Sequence, residues 1–243
     1  MIARLAIARL AIARLAIALL AAAPAAAAEP MAGHDHDRLL SFTRGQADYA
    51  RARGEDIVTF DGEGWIGGDA HKFWWKTEGD IDGGKATRAE IQALYSRNVW
   101  AFFDVQAGIR HDIEPDGRGY AVIGVQGLAP YLLDTEAHLF VGFRGDVHVR
   151  LRQSFDLLLT NRLIVTPQVE TDLYLTDAPE RRVRAGFSRL EGGVQARYEI
   201  SRKFAPYLAV IYDAAVGPTA ALARADGRDP GGWRVSVGVR SWF

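Results

Sequence analysis

Trp233-Arg234-Val235-Ser236-Val237-Gly238-Val239-Arg240-Ser241-Trp242-Phe243 is the stretch whose reading decides the fold. Counted back in twos from Phe243, one face carries Ser241, Val239, Val237, Val235 and Trp233. The other carries Trp242, Arg240, Gly238, Ser236 and Arg234. A period of two with unlike faces is the mark of a β-strand. Globular strands average about 5–6 residues, whereas a strand crossing a bilayer at a tilt needs about 9–11. This one is long enough to cross.

The same period runs outward through the chain. It predicts strands near 39–50, 55–68, 71–80, 88–97, 99–112, 118–128, 131–143, 147–159, 163–175, 188–200, 204–216 and 233–243. In the seventh, Tyr131, Leu133, Thr135, Ala137, Leu139, Val141 and Phe143 oppose Asp134, Glu136, His138 and Arg144. In the ninth, Val165, Val169, Leu173 and Leu175 oppose Thr166, Gln168, Glu170 and Asp172. Alternation alone does not say which face is inside. A soluble barrel hides the apolar face; a membrane barrel turns it to lipid.

Further features favour the membrane. Short connections near Asp69-Ala70, Asn98, Ala129-Pro130, Asn161-Arg162 and Arg202-Lys203 alternate with longer polar ones near 81–87, 113–117, 177–187 and 217–232; the short link near 144–146 breaks the pattern. Aromatics collect near strand ends at Trp65, Trp74, Trp75, Trp100, Tyr131, Phe143, Phe204, Tyr207, Trp233 and Trp242, as two interfacial girdles would. A terminal aromatic on an alternating last strand is similar to the signal for outer-membrane barrel assembly. The expectation is an all-β, transmembrane, antiparallel up-and-down β-barrel of roughly 12 strands over residues 39–243. A soluble periplasmic β-domain is the competing reading.

Ahead of the barrel, residues 1–28 read as a secretory signal. Arg4, Arg9 and Arg14 supply charge, Ala16 to Ala23 an apolar core, and Ala26-Ala27-Ala28 a small-residue cleavage site. The competing reading is a mitochondrial presequence, but arginines five apart turn about 140° per step on a helix and build no single basic face. Removing residues 1–28 leaves 26 basic against 30 acidic residues, a net charge of −4, which offers no footprint for nucleic acid. The absence of cysteine excludes disulfides, thiolate metal sites and cysteine nucleophiles. After the signal, no apolar run is long enough for a spanning helix.

Residues 29–38 lack periodicity and read as a flexible periplasmic lead-in, in which Met31, His34, Asp35 and His36 bring thioether, imidazole and carboxylate within six residues. Imidazole suits first-row divalent metals and thioether favours Cu(I), so the mixture points to copper more than to magnesium or calcium. If the apolar face meets lipid, the lumen holds Asp134, Glu136, His138, Arg150, Arg152, Asp156, Glu170, Asp172, Glu191, Arg197 and Glu199. His138 and His148 lie on neighbouring strands of that face, near the same end. With Glu136 they form a second candidate metal position; a solvated pair of histidines is the plainer alternative. His71 reads as a surface residue at a tight turn, and His111 sits at a strand rim beside Asp112. Motifs for serine hydrolases, zincins, phosphate loops and dinucleotide binding are missing, so the chain reads as no enzyme.

Certain segments carry a family resemblance. They are Gly64-Trp65-Ile66-Gly67-Gly68-Asp69, Lys72-Phe73-Trp74-Trp75-Lys76-Thr77-Glu78-Gly79, Leu94-Tyr95-Ser96-Arg97, Asp104-Val105-Gln106-Ala107-Gly108-Ile109-Arg110-His111-Asp112 and Gly124-Val125-Gln126-Gly127-Leu128-Ala129-Pro130-Tyr131. Further on come Asp156-Leu157-Leu158-Leu159-Thr160-Asn161-Arg162-Leu163-Ile164, Arg197-Tyr198-Glu199-Ile200, Phe204-Ala205-Pro206-Tyr207 and Val239-Arg240-Ser241-Trp242-Phe243. In this order they resemble the copper resistance protein B family of bacterial outer membranes. The resemblance implies a barrel in the outer membrane of a Gram-negative cell, surrounded by outer-membrane lipid, that serves copper homeostasis and resistance. It implies Cu(I) or Cu(II) as a transient ligand, by export or sequestration, and a periplasmic copper oxidase or efflux component as partner. Members carry a Met- and His-rich segment before the barrel; here that segment is short and has no Met repeat. A structural or general small-solute barrel without metal chemistry is the alternative.

Overall fold

The computed structural model describes residues 39–52 and 54–243. Its strands are β1 (Leu40–Ala52), β2 (Glu55–Gly67), β3 (His71–Asp82), β4 (Lys85–Trp100), β5 (Phe103–Glu114), β6 (Arg118–Ala129) and β7 (Leu133–Gly142). There follow β8 (Val147–Ser154), the two-residue β9 (Leu157–Leu158), β10 (Leu163–Tyr174), β11 (Gly186–Tyr198), β12 (Phe204–Ala215) and β13 (Gly231–Trp242). Since β8 and β9 both pair with β10, they make one stave, and the wall has 12. Neighbours in sequence pair antiparallel, and β13 returns to β1 in a ladder from Arg44↔Trp242 to Ala50↔Ser236. At its foot the Phe243 N–H donates to the Thr43 carbonyl at 2.8 Å, and the Thr43 N–H donates back to Phe243 at 3.0 Å. The sheet closes on itself, so no edge is left to aggregate or to meet lipid unpaired.

The two faces are inverted relative to a soluble protein. Along β13, Val237 is 62% exposed while the neighbouring Ser236 is 1%. The outer surface is apolar across the wall, with Ile91, Tyr95, Ile109, Ile123, Val194 and Leu208 all exposed. Lys76, Glu78, Glu90, Arg110, Asp112, Glu170 and Asp172 are buried inside. Among the described residues no helix is long and apolar enough to cross a membrane; the strands do so. An outward apolar band and a charged interior belong to a membrane barrel.

Both described ends lie at one rim, with the short connections 68–70, 101–102, 130–132, 159–162 and 199–203. At the other rim the expected alternation of loop length fails twice. The segments 81–87 and 113–117 are tight hairpins, because β3 runs on to Asp82, β4 begins at Lys85, and only 83–84 and 115–117 separate the strands. Gly83 and Gly84 have φ of 55° and 83°, the two left-handed residues of a type I′ turn. Only 175–185 and 216–230 are long at this rim. The second contains helix α1 (Gly217–Ala225), which opens with Pro218 in its first turn and is rich in alanine; the strand pattern did not foresee it. The aromatic girdles also need correction. Trp74 and Tyr207 are buried in the lumen, and Trp65 packs against the Trp74 cluster, so these three serve the interior.

Some glycines mark places where strands approach too closely for a side chain. A Cβ on Gly108 would collide with the backbone carbonyl oxygen of Ala93, whereas one on Gly192 would meet nothing within 4 Å. Gly108→Ala should therefore destabilise the barrel by about 1–3 kcal/mol through overpacking. Gly192→Ala should be neutral or slightly stabilising. Urea unfolding in micelles, read by heat-modifiable gel mobility, checks both; equal stability of the two variants would contradict the packing.

Candidate functional site

Strand alternation places a ladder of charges inside the barrel, and long side chains carry it across. From β8, Arg152 donates to Glu78 of β3 at 2.7 Å and to Glu170 of β10 at 2.7 Å. Arg150 donates to Glu90 of β4 at 3.2 Å and to Asp172 at 3.1 Å. Lys76 of β3 reaches Glu136 of β7 at 2.6 Å and Gln126 of β6 at 3.0 Å. Arg88 completes the group on Glu78, and Arg110 lies between Glu90 at 2.7 Å and Asp112 at 2.6 Å. In the sheet order, β3 and β8 are separated by the whole of β4–β7. The Arg152–Glu78 and Arg150–Glu90 bonds therefore run from wall to wall. They leave a cavity of about 10 Å³ among Lys76, Glu78, Gln92, Glu136, His138 and Arg152, room for about one water.

Toward the long-loop rim the interior becomes aromatic. His148 is sandwiched between Phe140 and Tyr174, with ring centroids 4.7 and 4.6 Å away. Tyr120 meets His148 edge-on at 5.4 Å. The Tyr120 hydroxyl donates to Asp146 at 2.7 Å, and Arg118 pairs with Asp146 at 3.0 Å. The loop 175–185 bends into this mouth. Its Arg181 donates to Asp112 at 2.6 Å and Asp116 at 2.7 Å, with the guanidinium 5.6 Å from the Tyr120 ring centre. Burial disfavours the Asp116 carboxylate, but Arg181, joined by Arg118, outweighs it and holds the carboxyl below the ordinary aspartate range. Glu180 accepts from Arg118 at 2.5 Å, so adjacent loop residues are pinned by opposite charges. The other long loop is tied in where the Arg184 N–H donates to the Thr219 hydroxyl of α1 at 3.1 Å.

The candidate metal residues are distributed unequally. Met31, His34, Asp35 and His36 lie outside the described residues. Glu136 and His138 come together, with Nδ1 4.0 Å from the carboxylate. The Gln106 amide oxygen lies 2.8 Å from His138 Nε2, which assigns the proton to Nε2 and turns the Nδ1 lone pair toward Glu136. His148 is set apart from this pair, because Phe140 stands between the two imidazoles with its ring centre 6.1 Å from His138 and 4.7 Å from His148. Among the described residues, no group of three or more His, Asp and Glu is placed to hold a metal ion. His71 is at the surface, beside the Tyr95 hydroxyl, as its turn position suggested.

Of the charges read from the sequence as interior, Asp134, Glu136, Arg150, Arg152, Glu170, Asp172, Glu191 and Arg197 share the lumen-facing register. Asp156 lies just beyond the end of β8 and pairs with Arg197 at 2.5 Å. The cross-wall partners Lys76, Glu78 and Glu90 escaped the sequence reading, although Lys72, Trp74, Lys76, Glu78 and Asp80 share one strand face. Arg181 gave no signal, since its role depends on how a loop bends.

Comparison with known proteins places this architecture. The sequence pattern of copper resistance protein B precursor (CopB) matches residues 38–243. A copper resistance protein B homolog of Pseudomonas syringae pv. tomato is 38% identical over 87% of this chain and 74% of its own. Copper resistance protein B of Escherichia coli is 35% identical over 88% and 73%. Among solved structures, the NanC porin aligns at a TM-score of 0.56 with 12% identity, covering 82% of this chain and 98% of its own. The KdgM porin in complex with disordered oligogalacturonate gives 0.50 with 11% identity, over 82% and 99%. The porins share the barrel and the two relatives share its sequence: this chain belongs to the copper resistance protein B family.

Proposed function

We propose that this outer-membrane barrel contributes to copper resistance by binding copper ions at its periplasmic end and sequestering them there, without catalysing a reaction. Family membership brings copper into the reading. The observation that carries the geometry is the wall-to-wall bridging by Arg150, Arg152 and Lys76, which suits a closed container better than a diffusion pore. Outer-membrane barrels keep their short turns on the periplasmic side. The described chain begins at that rim, which is where this reading puts the lead-in. Once residues 1–28 are removed on export, Met31, His34, Asp35 and His36 meet periplasmic copper first. Inside, Glu136 and the lone pair of His138 offer two further ligand atoms. A cation there competes with Lys76, whose ammonium already occupies the Glu136 carboxylate. Transient loading follows, and delivery involves a periplasmic copper oxidase or efflux component.

Equilibrating the purified barrel with Cu(I) or Cu(II) and measuring retained metal tests the binding. Full-length mature chain should retain copper, and deletion of residues 29–38 should remove most of it. Retention of no copper by either form would end the binding claim. Planar-bilayer conductance separates the proposal from a general small-solute barrel. The native protein should show little steady current, while Glu78→Ala with Arg152→Ala, removing both ends of one bridge, should raise it. A large unselective current through the native barrel would favour the rival.

A further inference from the structure

Three neighbouring turns at the short-turn rim expose large apolar side chains at their tips. Trp100 and Phe102 of the β4–β5 turn are 64% and 69% exposed, and Tyr131 and Leu132 of the β6–β7 turn 94% and 71%. Leu158 and Leu159 of the β8–β10 connection follow at 69% and 62%. The other two turns of this rim end in Asp69-Ala70-His71 and Ser201-Arg202-Lys203, polar or small and all exposed, with Ile200 the one large apolar residue in them at 57% exposure. We infer that the barrel is seated unevenly, with the turns of the β4–β10 sector inserted into the periplasm-side phospholipid leaflet and the two polar turns left in water.

Continuity identifies the occupant as lipid. The tips prolong outward columns that already face lipid, Phe103, Val105, Ala107 and Ile109 on β5 and Leu163 and Val165 on β10, where Leu157 faces Val165. Leu158, opposite the inward Ile164, is not part of them, and the outward polar residues near this rim include Arg97 opposite Val105 and Thr135 opposite Gln153. Their chemistry fits the headgroup–acyl boundary, where Trp and Tyr bury a ring and keep a polar edge wet. The backbone at the tips is also provided for. Leu159 and Thr160 N–H donate to the Leu163 carbonyl at 3.0 and 3.1 Å, Leu163 N–H to the Thr160 hydroxyl at 2.9 Å, and Leu128 N–H to the Phe102 carbonyl at 2.9 Å. A turn that satisfies its own amides can approach hydrocarbon; an open one cannot.

An independent observation comes from backbone strain. Tyr131 and Leu132 both adopt left-handed conformations, with φ of 66° and 61°. Bulky residues there cost free energy. Nothing in the barrel repays it, because both side chains point away from the protein. Burial of those two side chains in lipid does.

The chain has no cysteine, so single-cysteine variants report without background. Nitroxide labels at Phe102→Cys, Tyr131→Cys and Leu159→Cys are compared with labels at Ala70→Cys and Arg202→Cys. The full mature chain is folded into phosphatidylethanolamine/phosphatidylglycerol vesicles, with a water-soluble nickel chelate on both sides, and heat-modifiable mobility confirms folding. The first three labels should be relaxed by oxygen and several-fold less by the chelate, while the last two respond strongly to the chelate. Equal chelate access at all five positions would overturn the proposal and make the apolar turns a surface for a periplasmic protein.

Discussion

An arginine or a carboxylate removed from water is costly unless it finds an opposite charge and hydrogen bonds in good geometry. This barrel commits its outer face to lipid, so each inward position that carries charge must be balanced within the lumen. The side chains meet that constraint as a group. Arg150 and Arg152 each touch acids on their own side and on the opposite wall, and Arg110 is shared between Glu90 and Asp112. Where a partner is not shared, as for Glu136 with Lys76, removing one member leaves a buried charge without its ion pair, which is more damaging than never having had the pair. The cross-wall bridges and the ties of the 175–185 loop to Asp112 and Asp116 both answer this need for counter-charges.

The fold was legible because a two-residue period survives any register and the outer face needs only to be apolar. Val235, Val237 and Val239 declare a lipid face without help from their neighbours. What escaped the sequence depends on pairing across space. Glu78 is an ordinary strand carboxylate until Arg152, 74 residues later, is found opposite it. His138 and His148 looked like a pair because they share a face, yet Phe140 fills the position between them. Gly83-Gly84 was readable as a tight hairpin, but the polar residues around it suggested a longer loop. Helix α1 was hidden because a pattern of strands was already in force around it.

Likeness to porins establishes the shape of the wall and leaves its contents open. Many inward residues here are long, charged and mutually engaged, with aromatic packing toward the long-loop end. The Glu136 carboxylate beside His138 is already engaged by the Lys76 ammonium.

The seam between β1 and β13 bears on how the protein is made. Each hairpin closes over a few residues, whereas Arg44 finds Trp242 only across nearly the whole described chain. Closing a loop becomes more costly with its length, so the local hairpins form early and the seam last. Until then the growing sheet has two unpaired edges, each able to capture a strand from another molecule. The delay before that final ladder zips sets how long the unfinished protein is open to misassembly. The terminal strand thus carries the step on which closure of the wall depends.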